Sequence, residues 1–398
     1  MKALKDSVIY LIGEVFSKSM PFFLLPYLSK KLGVVGFGEL SYYQTYLALF
    51  SIIIGLSQEG AVVRYFYFYG KRSLNLIVTT GYLYSLIVGI ILLIGCYILN
   101  SEIMAYIVIA TVFQSFISVQ LSVRQCQKQA LVYTIIQFFL AAFSVLLTII
   151  LLEVYSEDLI SKRFLAILFA NIIVFVIAYL CYSRKDKIKW RFSVKNYKSA
   201  VWYILAFGLP LILHNISSFM KGQLDRIFIY HQYTVEQLGV YTAGFQISSI
   251  LLVVLTSINK ALLPYYFDGI KNKVITKKNI YNWMWLSFIF IPFPPLISYF
   301  VPEKLYLLFL GEGFVGVNYY ISLFLLGIGF VIPYLILVNY LFFYGANNYI
   351  TLSSLLSVIF YFIALVLFSV IDVSFIPFSY LIGNLFILPV IYIFTKRI

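Results

Sequence analysis

The chain contains twelve apolar windows that are each long enough to cross a bilayer, and this pattern limits the fold more than any other feature. A helical crossing needs about 20 mostly apolar residues. Of 398 residues, 62% are apolar and only 11% are charged, so a soluble domain would lack the polar surface to cover itself. We therefore predict an all-α polytopic membrane protein with twelve transmembrane helices. The windows lie near residues 7–29, 40–63, 75–99, 103–123, 129–152, 163–183, 200–229, 237–263, 281–301, 317–343, 350–371 and 374–395.

The positions of the basic residues predict the orientation of these helices. If both termini lie in the cytoplasm, 20 of the 29 Lys and Arg residues fall on the inner side, in inner loops, at the termini or, for Arg64, at the inner end of span two, and five fall in outer loops. This distribution follows the positive-inside rule. We therefore expect the basic residues behind the formal charge of +14 to interact with the lipids of an anionic leaflet, and we predict no nucleic-acid partner.

The longest basic loop, RKDKIKWRFSVKNYK, stands near the midpoint of the chain. We predict an N-terminal lobe over residues 1–183, a basic cytoplasmic linker over 184–199 and a C-terminal lobe over 200–398. A faint internal repeat agrees with this division, because KKLGVVGFGELSYYQ joins spans one and two and QLGVYTAGFQ joins spans seven and eight. Both copies are expected to place Leu-Gly-Val in an outer loop. Equal numbers of spans predict two parallel, pseudo-symmetric repeats.

Ionisable side chains inside the apolar windows are the candidate functional residues. A centred Lys, Arg or Asp costs about 2.5 to 3.5 kcal/mol on insertion scales, and such residues usually face a water-filled pathway or a partner. Glu14 and Lys18 are four residues apart and so share one face of the first helix. Either they neutralise each other between helices, or Lys18 faces a cavity where its ammonium holds a phosphate oxygen.

Span seven carries the richest polar stripe. His214, Ser218, Lys221 and Asp225 follow one another at helical spacing, and this face should meet the other half of the molecule or a cavity rather than lipid. Asp225 and Arg226, near the outer end, are candidates for an ion pair that closes an outer gate, or for a fixed packing pair. His214 either titrates near neutral pH or makes a helix contact through a hydrogen bond.

Three further charged residues lie at the ends of spans. Glu59 and Arg64 end span two, and Lys260 lies near the inner end of span eight. Arg64 either snorkels to the interface or contacts a substrate. Glu59 is a candidate carrier of a coupling ion, as are Glu14 and His214. Cations exceed acids among the embedded residues, and such an excess suits an anionic substrate.

The sequence predicts neither a metal site nor a cofactor. His214 and His231 are the only histidines, so a site built from several histidines is excluded by count. The cysteines Cys96, Cys126 and Cys181 lack the spacing of metal ligands. We also find no motif of an activated nucleophile, so the chain is not expected to be an enzyme.

Short motifs after span one, within span seven and at the start of span eight follow a known pattern. They are Leu32-Gly33, Gly36-Phe37-Gly38 and Ser41, then Phe207-Gly208-Leu209-Pro210-Leu211 leading to Asp225-Arg226, then Leu238-Gly239-Val240-Tyr241. With these motifs the sequence resembles the polysaccharide or O-antigen flippases of the multidrug/oligosaccharidyl-lipid/polysaccharide (MOP) exporter superfamily. The resemblance covers essentially the whole chain.

This resemblance implies a V-shaped transporter of two six-helix lobes around a central cationic cavity, alternately open to the cytoplasm and the periplasm. The implied cargo is an undecaprenyl-pyrophosphate-linked oligosaccharide, moved from the inner to the outer leaflet of a bacterial cytoplasmic (inner) membrane for O-antigen or other surface polysaccharide assembly. Lys18, Arg64, Lys221 and Lys260 become candidates for pyrophosphate contact. H+ or Na+ is the implied coupling ion, and other polysaccharide assembly proteins are possible partners.

Three other functions stay open at this point. A drug or organic-cation exporter on the same scaffold should have an acidic cavity, and the excess of embedded Lys and Arg argues against it. A membrane polysaccharide polymerase or ligase usually needs a sizeable outer loop for its chemistry, whereas every outer connection here is short. A scaffold protein without transport would leave the polar stripe of span seven unexplained.

Overall fold

The computed structural model describes residues 2–71, 73–186 and 193–398. In two helical stretches it describes the backbone only, namely residues 2–12, 14, 15 and 18, and residues 182–186. Within the described ranges every regular element is helical, which confirms the predicted all-α class. Part of the predicted basic linker, residues 187–192, lies outside the described residues.

The elements follow the apolar windows closely, and their order along the chain is as follows. The α-helices are α1 Lys2–Gly55, α2 Gln58–Tyr69, α3 Leu74–Ile98, α4 Glu102–Cys126, α5 Ala130–Val154, α6 Leu159–Asp186, α7 Val194–Gln232, α8 Val235–Lys271, α9 Lys277–Phe290, α10 Phe293–Phe300, α11 Glu303–Leu310, α12 Val317–Gly329, α13 Val331–Phe343, α14 Asn347–Ser369 and α15 Ile376–Arg397. Two short 3-10 helices lie at Glu312–Phe314 and Val373–Phe375.

Eleven stretches of the described chain are long and apolar enough to cross a membrane. The first, Ser19–Tyr69, contains 51 residues. At 1.5 Å per residue such a stretch is about 77 Å long, more than twice the ~30 Å of a hydrocarbon core. It therefore holds two crossings, and the remaining ten stretches hold one each, in agreement with the predicted twelve spans.

The predicted outer loops at the two Leu-Gly-Val motifs are wrong, because both motifs are helical. α1 continues through the first motif with one non-helical residue, Gly33, at φ 67° and ψ −179°. A glycine adopts this conformation without a steric penalty, so the direction of the chain changes without a loop. α8 begins at Val235 after the cap Thr234, whose side chain and that of Gln237 each bind the other's backbone N–H in a capping box. The second motif therefore lies in the first turns of α8.

The described residues form two compact units. The first unit comprises the chain up to Leu24 together with Tyr43–Ile216, and the second comprises Leu25–Tyr42 together with Ser217–Ile398. Compared with the predicted lobes, the outer end of span one groups with the second unit, and the first part of α7 groups with the first unit. The unit boundaries thus fall inside α1 and α7 rather than in the basic linker. The division into functional lobes at 184–199 stays a prediction.

In the first unit, α2, α3 and α4 pack around a core of aliphatic and aromatic side chains. Tyr82 of α3 contacts Phe116 of α4, with ring centroids 4.7 Å apart. Gly89 brings α3 close to α4, because a Cβ there would lie 2.5 Å from a methyl group of Val112. The buried Ile204 belongs to the same cluster, so the start of α7 is packed into this unit.

In the second unit, the two Leu-Gly-Val motifs pack directly on each other. A Cβ at Gly38 would lie 2.2 Å from the carbonyl oxygen of Val235, and a Cβ at Gly239 would lie 2.1 Å from the carbonyl oxygen of Val34. The backbones of α1 and α8 therefore touch, which is the use of small residues common between membrane helices. This contact fixes the N-terminal end of α8 and with it the position of Tyr241.

Candidate functional site

The polar stripe of α7 enters the interior of the second unit at Lys221. The Lys221 Nζ donates a hydrogen bond of 2.9 Å to the Ser357 Oγ on α14. Ser357 in turn donates to the carbonyl oxygen of Gly383 on α15, at 2.6 Å. Gly383 lets these helices approach, since a Cβ there would lie 3.0 Å from that of Tyr361. The ammonium group is thereby held where α7, α14 and α15 meet.

One turn further along α7, Asp225 is only 2% exposed and is bound on both oxygens. The hydroxyl of Tyr241 on α8 donates to its Oδ2. The backbone N–H of Arg226 donates to its Oδ1 at 2.9 Å. Hydrogen bonds to an ionised carboxylate are about twice as strong as neutral ones. The carboxylate therefore links α7 to α8 inside the second unit.

Arg226 is also buried, with 4% of its surface exposed. Its Nη1 donates to the Gln223 Oε1 at 2.6 Å. Its guanidinium carbon lies 5.3 Å from the centroid of the Phe245 ring, within the range of a cation–π contact. Asp225 and Arg226 thus bind different side chains of the second unit, and their predicted role at an outer gate stays a prediction.

The three ionisable groups give this part of α7 an excess of positive charge. Lys221 and Arg226 carry two positive charges, and Asp225 carries one negative charge. Only Lys221 among the three is half-buried rather than buried. Charges inside membrane proteins are costly and mark substrate or ion pathways. Lys221 is accordingly the least buried charged group of this cluster.

Two of the predicted site residues, Glu14 and Lys18, lie outside the described side chains. Their neighbours on α1 pack on α5 within the first unit. The Ser17 Oγ donates to the Gln137 Oε1 at 3.2 Å, and the rings of Phe16 and Phe138 stack with centroids 5.2 Å apart. The predicted pairing of Lys18 with Lys221 around one substrate therefore stays a prediction.

The other predicted residues are exposed. Arg64 lies on α2 with its guanidinium carbon 5.7 Å from the ring centroids of both Phe68 and Phe207, which hold the charge by cation–π contact. Glu59, in the first turn of α2, and His214, on α7, are exposed side chains of the first unit. Lys260 is exposed on α8 in the second unit. Within the second unit the structure thus brings Lys221, Asp225 and Arg226 together on α7.

Sequence reasoning missed a break in span two, which was predicted as one helix over 40–63. Leu56 and Ser57 have φ values of 44° and 51° and separate α1 from α2. Both are buried, at 1% and 9% exposure. A non-glycine residue with positive φ is uncommon, and such strain clusters at functional sites. The signal that could have shown the break is GLSQEG, two glycines and three polar residues inside an apolar window.

Polar side chains from two other helices, α3 and α7, bind backbone and hydroxyl groups at this break. The Asn215 Nδ2 on α7 donates to the Ser57 Oγ at 3.0 Å. The Ser85 Oγ on α3 donates to the carbonyl oxygen of Ile54 at 3.0 Å, and Gln58 donates to Ser85 at 2.8 Å. Ser85 also lies 3.0 Å from the Ser115 Oγ on α4. Broken helices at membrane depth are tolerated only where protein or water satisfies the freed groups.

The Phe-Gly-Leu-Pro motif of α7 packs against the same break. A Cβ at Gly208 would lie 2.4 Å from the carbonyl oxygen of Leu56, and one at Gly60 would lie 2.9 Å from the Phe207 ring. Gly208 is therefore required for the close approach of α7 to span two. Discontinuous helices of this kind form substrate and ion sites in secondary transporters.

Comparison with known proteins agrees with this architecture. A family described as "Polysaccharide biosynthesis protein" matches residues 3–269. A Haemophilus influenzae protein of the Lsg locus is 51% identical over 398 residues, which covers 100% of this chain and 99% of the relative. The chain is thus related along its full length to that protein.

Solved structures show the same fold. An inward-facing multidrug resistance MATE family transporter of the MOP superfamily superposes with a TM-score of 0.70 over 97% of each chain, at 15% identity. A MOP superfamily transporter from Pyrococcus furiosus, described by a reverse polarity of its binding pocket, gives a TM-score of 0.59 over 99% of this chain and 95% of that one, at 14% identity. At such identities the similarity concerns the fold. The chain therefore belongs to the polysaccharide biosynthesis protein family and is a multi-pass membrane protein with the fold of the MOP superfamily transporters, in agreement with the resemblance carried by its motifs.

Proposed function

We propose that this protein is a transporter, namely a flippase for undecaprenyl-pyrophosphate-linked oligosaccharide repeat units. It moves them by alternating access from the cytoplasmic to the periplasmic leaflet of a bacterial inner membrane, for assembly of O-antigen or another surface polysaccharide. The single observation that carries this proposal is the excess of positive charge on this part of α7, where two cations, Lys221 and Arg226, are accompanied by one carboxylate, Asp225. The family match supports the polysaccharide context.

The physical task of such a protein is to carry a charged headgroup through hydrocarbon without a covalent change. Moving charge into the bilayer centre is costly, and a cationic interior lowers that cost by replacing the hydration of the diphosphate. Lys221 suits this role because the residue is half-buried and its ammonium donates to a neutral hydroxyl, that of Ser357. A phosphate oxygen would take the place of that hydroxyl as a stronger, charged acceptor.

The remaining roles in the proposal follow the predicted residues. Lys18 joins Lys221 on the diphosphate, with Arg64 and Lys260 as further contacts during entry and exit. Glu14, Glu59 or His214 carries the coupling ion, H+ or Na+. Both termini lie in the cytoplasm, since this orientation places 20 of the 29 basic residues inside. A fusion of a reporter enzyme active only in the periplasm to the C-terminus should therefore be inactive.

A lipid-flipping assay in proteoliposomes tests the role of Lys221. The Lys221→Ala variant should transport lipid-linked oligosaccharide about 10- to 100-fold more slowly, because a hydrogen bond to a charged group is worth about 1.5–3 kcal/mol. Lys221→Arg keeps the charge and should retain more transport than Lys221→Ala. Lys304→Ala removes the same charge at an exposed position and is the matched control.

Two results would contradict the proposal. Normal flipping by both Lys18→Ala and Lys221→Ala, at equal amounts in the membrane, would remove the claim of phosphate binding. The cargo itself is tested in cells that lack the gene. We expect lipid-linked intermediate to accumulate on the cytoplasmic face, whereas increased drug sensitivity without that accumulation would indicate a drug exporter instead.

A further inference from the structure

A groove of about 410 Å³ runs between α9 and α15 in the second unit, away from the polar cluster of α7. Its walls are entirely apolar or aromatic, with Trp285 and Phe288 on α9 facing Phe386, Pro389 and Tyr392 on α15. Both helices belong to stretches that are long and apolar enough to span a membrane. The groove therefore offers a site for an apolar chain at membrane depth.

The walls of this groove are open to the surroundings of the protein. Trp285 is 60% exposed, and Leu385 and Phe386 are exposed as well. Aromatic rings also meet inside it, since the Trp285 and Phe288 centroids are 5.5 Å apart and Trp285 lies 6.5 Å from the Tyr392 ring. Tryptophan and tyrosine prefer the interface between hydrocarbon and headgroups. This places the Tyr392 end of the groove near the headgroups.

Two lysines meet at that end of the groove. The Lys396 Nζ lies 4.6 Å from the centroid of the Tyr392 ring, the same ring that lines the groove. The Lys277 Nζ donates a hydrogen bond of 3.1 Å to the carbonyl oxygen of Lys396. The first turn of α9 contains no acidic residue, and Arg397 follows Lys396 in the last turn of α15. An apolar slot thus ends at a group of positive charges.

We propose that this groove binds an anionic phospholipid, with one acyl chain along Trp285 and Phe386 and the phosphate at Lys277 and Lys396. The lysine charges complement the phosphate of such a lipid, and the apolar walls of the groove complement its acyl chain. The site is independent of transport of the oligosaccharide cargo, because the groove is built by α9 and α15 and not by α7. A bilayer lipid needs no gate to reach it, since the groove is exposed within the spanning stretches.

Quenching of tryptophan fluorescence by brominated lipids tests this site directly. Trp285 stands in the wall of the groove, and the chain has four tryptophans, so replacement of Trp190, Trp202 and Trp283 by Phe leaves Trp285 as the sole reporter. The variant is reconstituted in bilayers with rising fractions of dibrominated phosphatidylglycerol or dibrominated phosphatidylcholine. Each basic residue near the surface strengthens binding of an anionic lipid about fivefold. We expect phosphatidylglycerol to bind about 25-fold more tightly than phosphatidylcholine.

Changes of the two lysines give the decisive comparison. Lys277→Gln with Lys396→Gln should abolish the preference for phosphatidylglycerol, while Lys396→Gln alone should leave about a fivefold preference. The second variant keeps the test open if the double variant does not fold. Lys271→Gln with Lys273→Gln, at exposed positions at the end of α8, removes the same charge and should leave the preference unchanged.

Three outcomes would overturn the proposal. Equal quenching by both lipids would show that the charges select no headgroup. A preference that survives the change of both lysines would place the selectivity elsewhere. Displacement of phosphatidylglycerol by an equimolar amount of polyprenyl phosphate would assign the groove to the lipid tail of the cargo. None of these results bears on the flipping assay of Lys221, so the two proposals fail separately.

Discussion

The close approach of α7 to the break in span two predicts that Gly208 cannot be replaced, even by alanine. A Cβ at this position would lie 2.4 Å from the carbonyl oxygen of Leu56 and 2.6 Å from the Leu56 Cγ. The obstacle is backbone, so it cannot turn aside as the end of a flexible side chain would. The break itself is held by hydrogen bonds from α3 and α7, and it is not free to move away.

The expected change in stability on Gly208→Ala is the sum of two opposing contributions. Overpacking of a tightly packed site costs typically about 1–3 kcal/mol. Replacement of glycine by alanine inside a helix recovers about 0.5–1 kcal/mol of backbone entropy. Gly222 on the same helix isolates the second term, because a Cβ there meets nothing within 4 Å. Gly208→Ala and Gly222→Ala should therefore differ in stability by the overpacking term alone.

The assay is the apparent melting temperature of the purified protein in detergent. We expect Gly208→Ala to melt below the wild type and Gly222→Ala to melt at or above it. Flipping activity of the two variants is measured in parallel, at equal amounts of folded protein. If Gly208→Ala melts as high as Gly222→Ala, α7 does not approach Leu56 as closely as the structure shows, and the reasoning about the break is wrong.

Three more changes test single contacts. Tyr241→Phe removes a hydrogen bond to a buried carboxylate and should lower stability by about 1.5–3 kcal/mol, and an unchanged melting temperature would argue against that bond. Ser57→Ala and Asn215→Ala should show a coupling of about 0.5–1.5 kcal/mol in a double-mutant cycle, whereas simple additivity would contradict their contact. Hydrogen bonds from the Ser374 hydroxyl and backbone N–H hold the pKa of Asp372, in a loop outside the spanning segments, below its ordinary value. Because the folded-state pKa is the lower one, this stabilisation is present above the unfolded pKa of about 3.9 and is lost as the pH falls through the folded value. The difference in melting temperature between wild type and Asp372→Asn should accordingly shrink below about pH 4, and a constant difference would refute it.

The positions of the spans could be predicted from the sequence because hydrophobic length alone determines them. Span three was predicted at 75–99 and α3 covers Leu74–Ile98. The polar stripe of α7 was also visible, since helical spacing places its members on one face. Hydropathy depends on local composition, so it gives the bounds of a helix but not its partners.

Long-range contacts explain what the sequence could not show. Ser357, the partner of Lys221, lies 136 residues away, and no spacing rule joins them. The positive φ values of Leu56 and Ser57 occur where side chains of α3 and α7, distant in sequence, bind the break through hydrogen bonds. The turn at Gly33 was expected to be a loop because a glycine-rich outer segment usually forms one. Here a single glycine was enough.

The mutual contact of Gly38 and Gly239 limits how this protein can change over evolution. The atom nearest to a Cβ at either glycine is a carbonyl oxygen of the opposite helix rather than a side-chain atom. A second mutation cannot remove that oxygen, so shortening a neighbouring side chain cannot rescue enlargement of either glycine. A suppressor screen started from Gly38→Ala should return revertants, or changes that shift α8 along α1, but no compensating substitution at the contact itself.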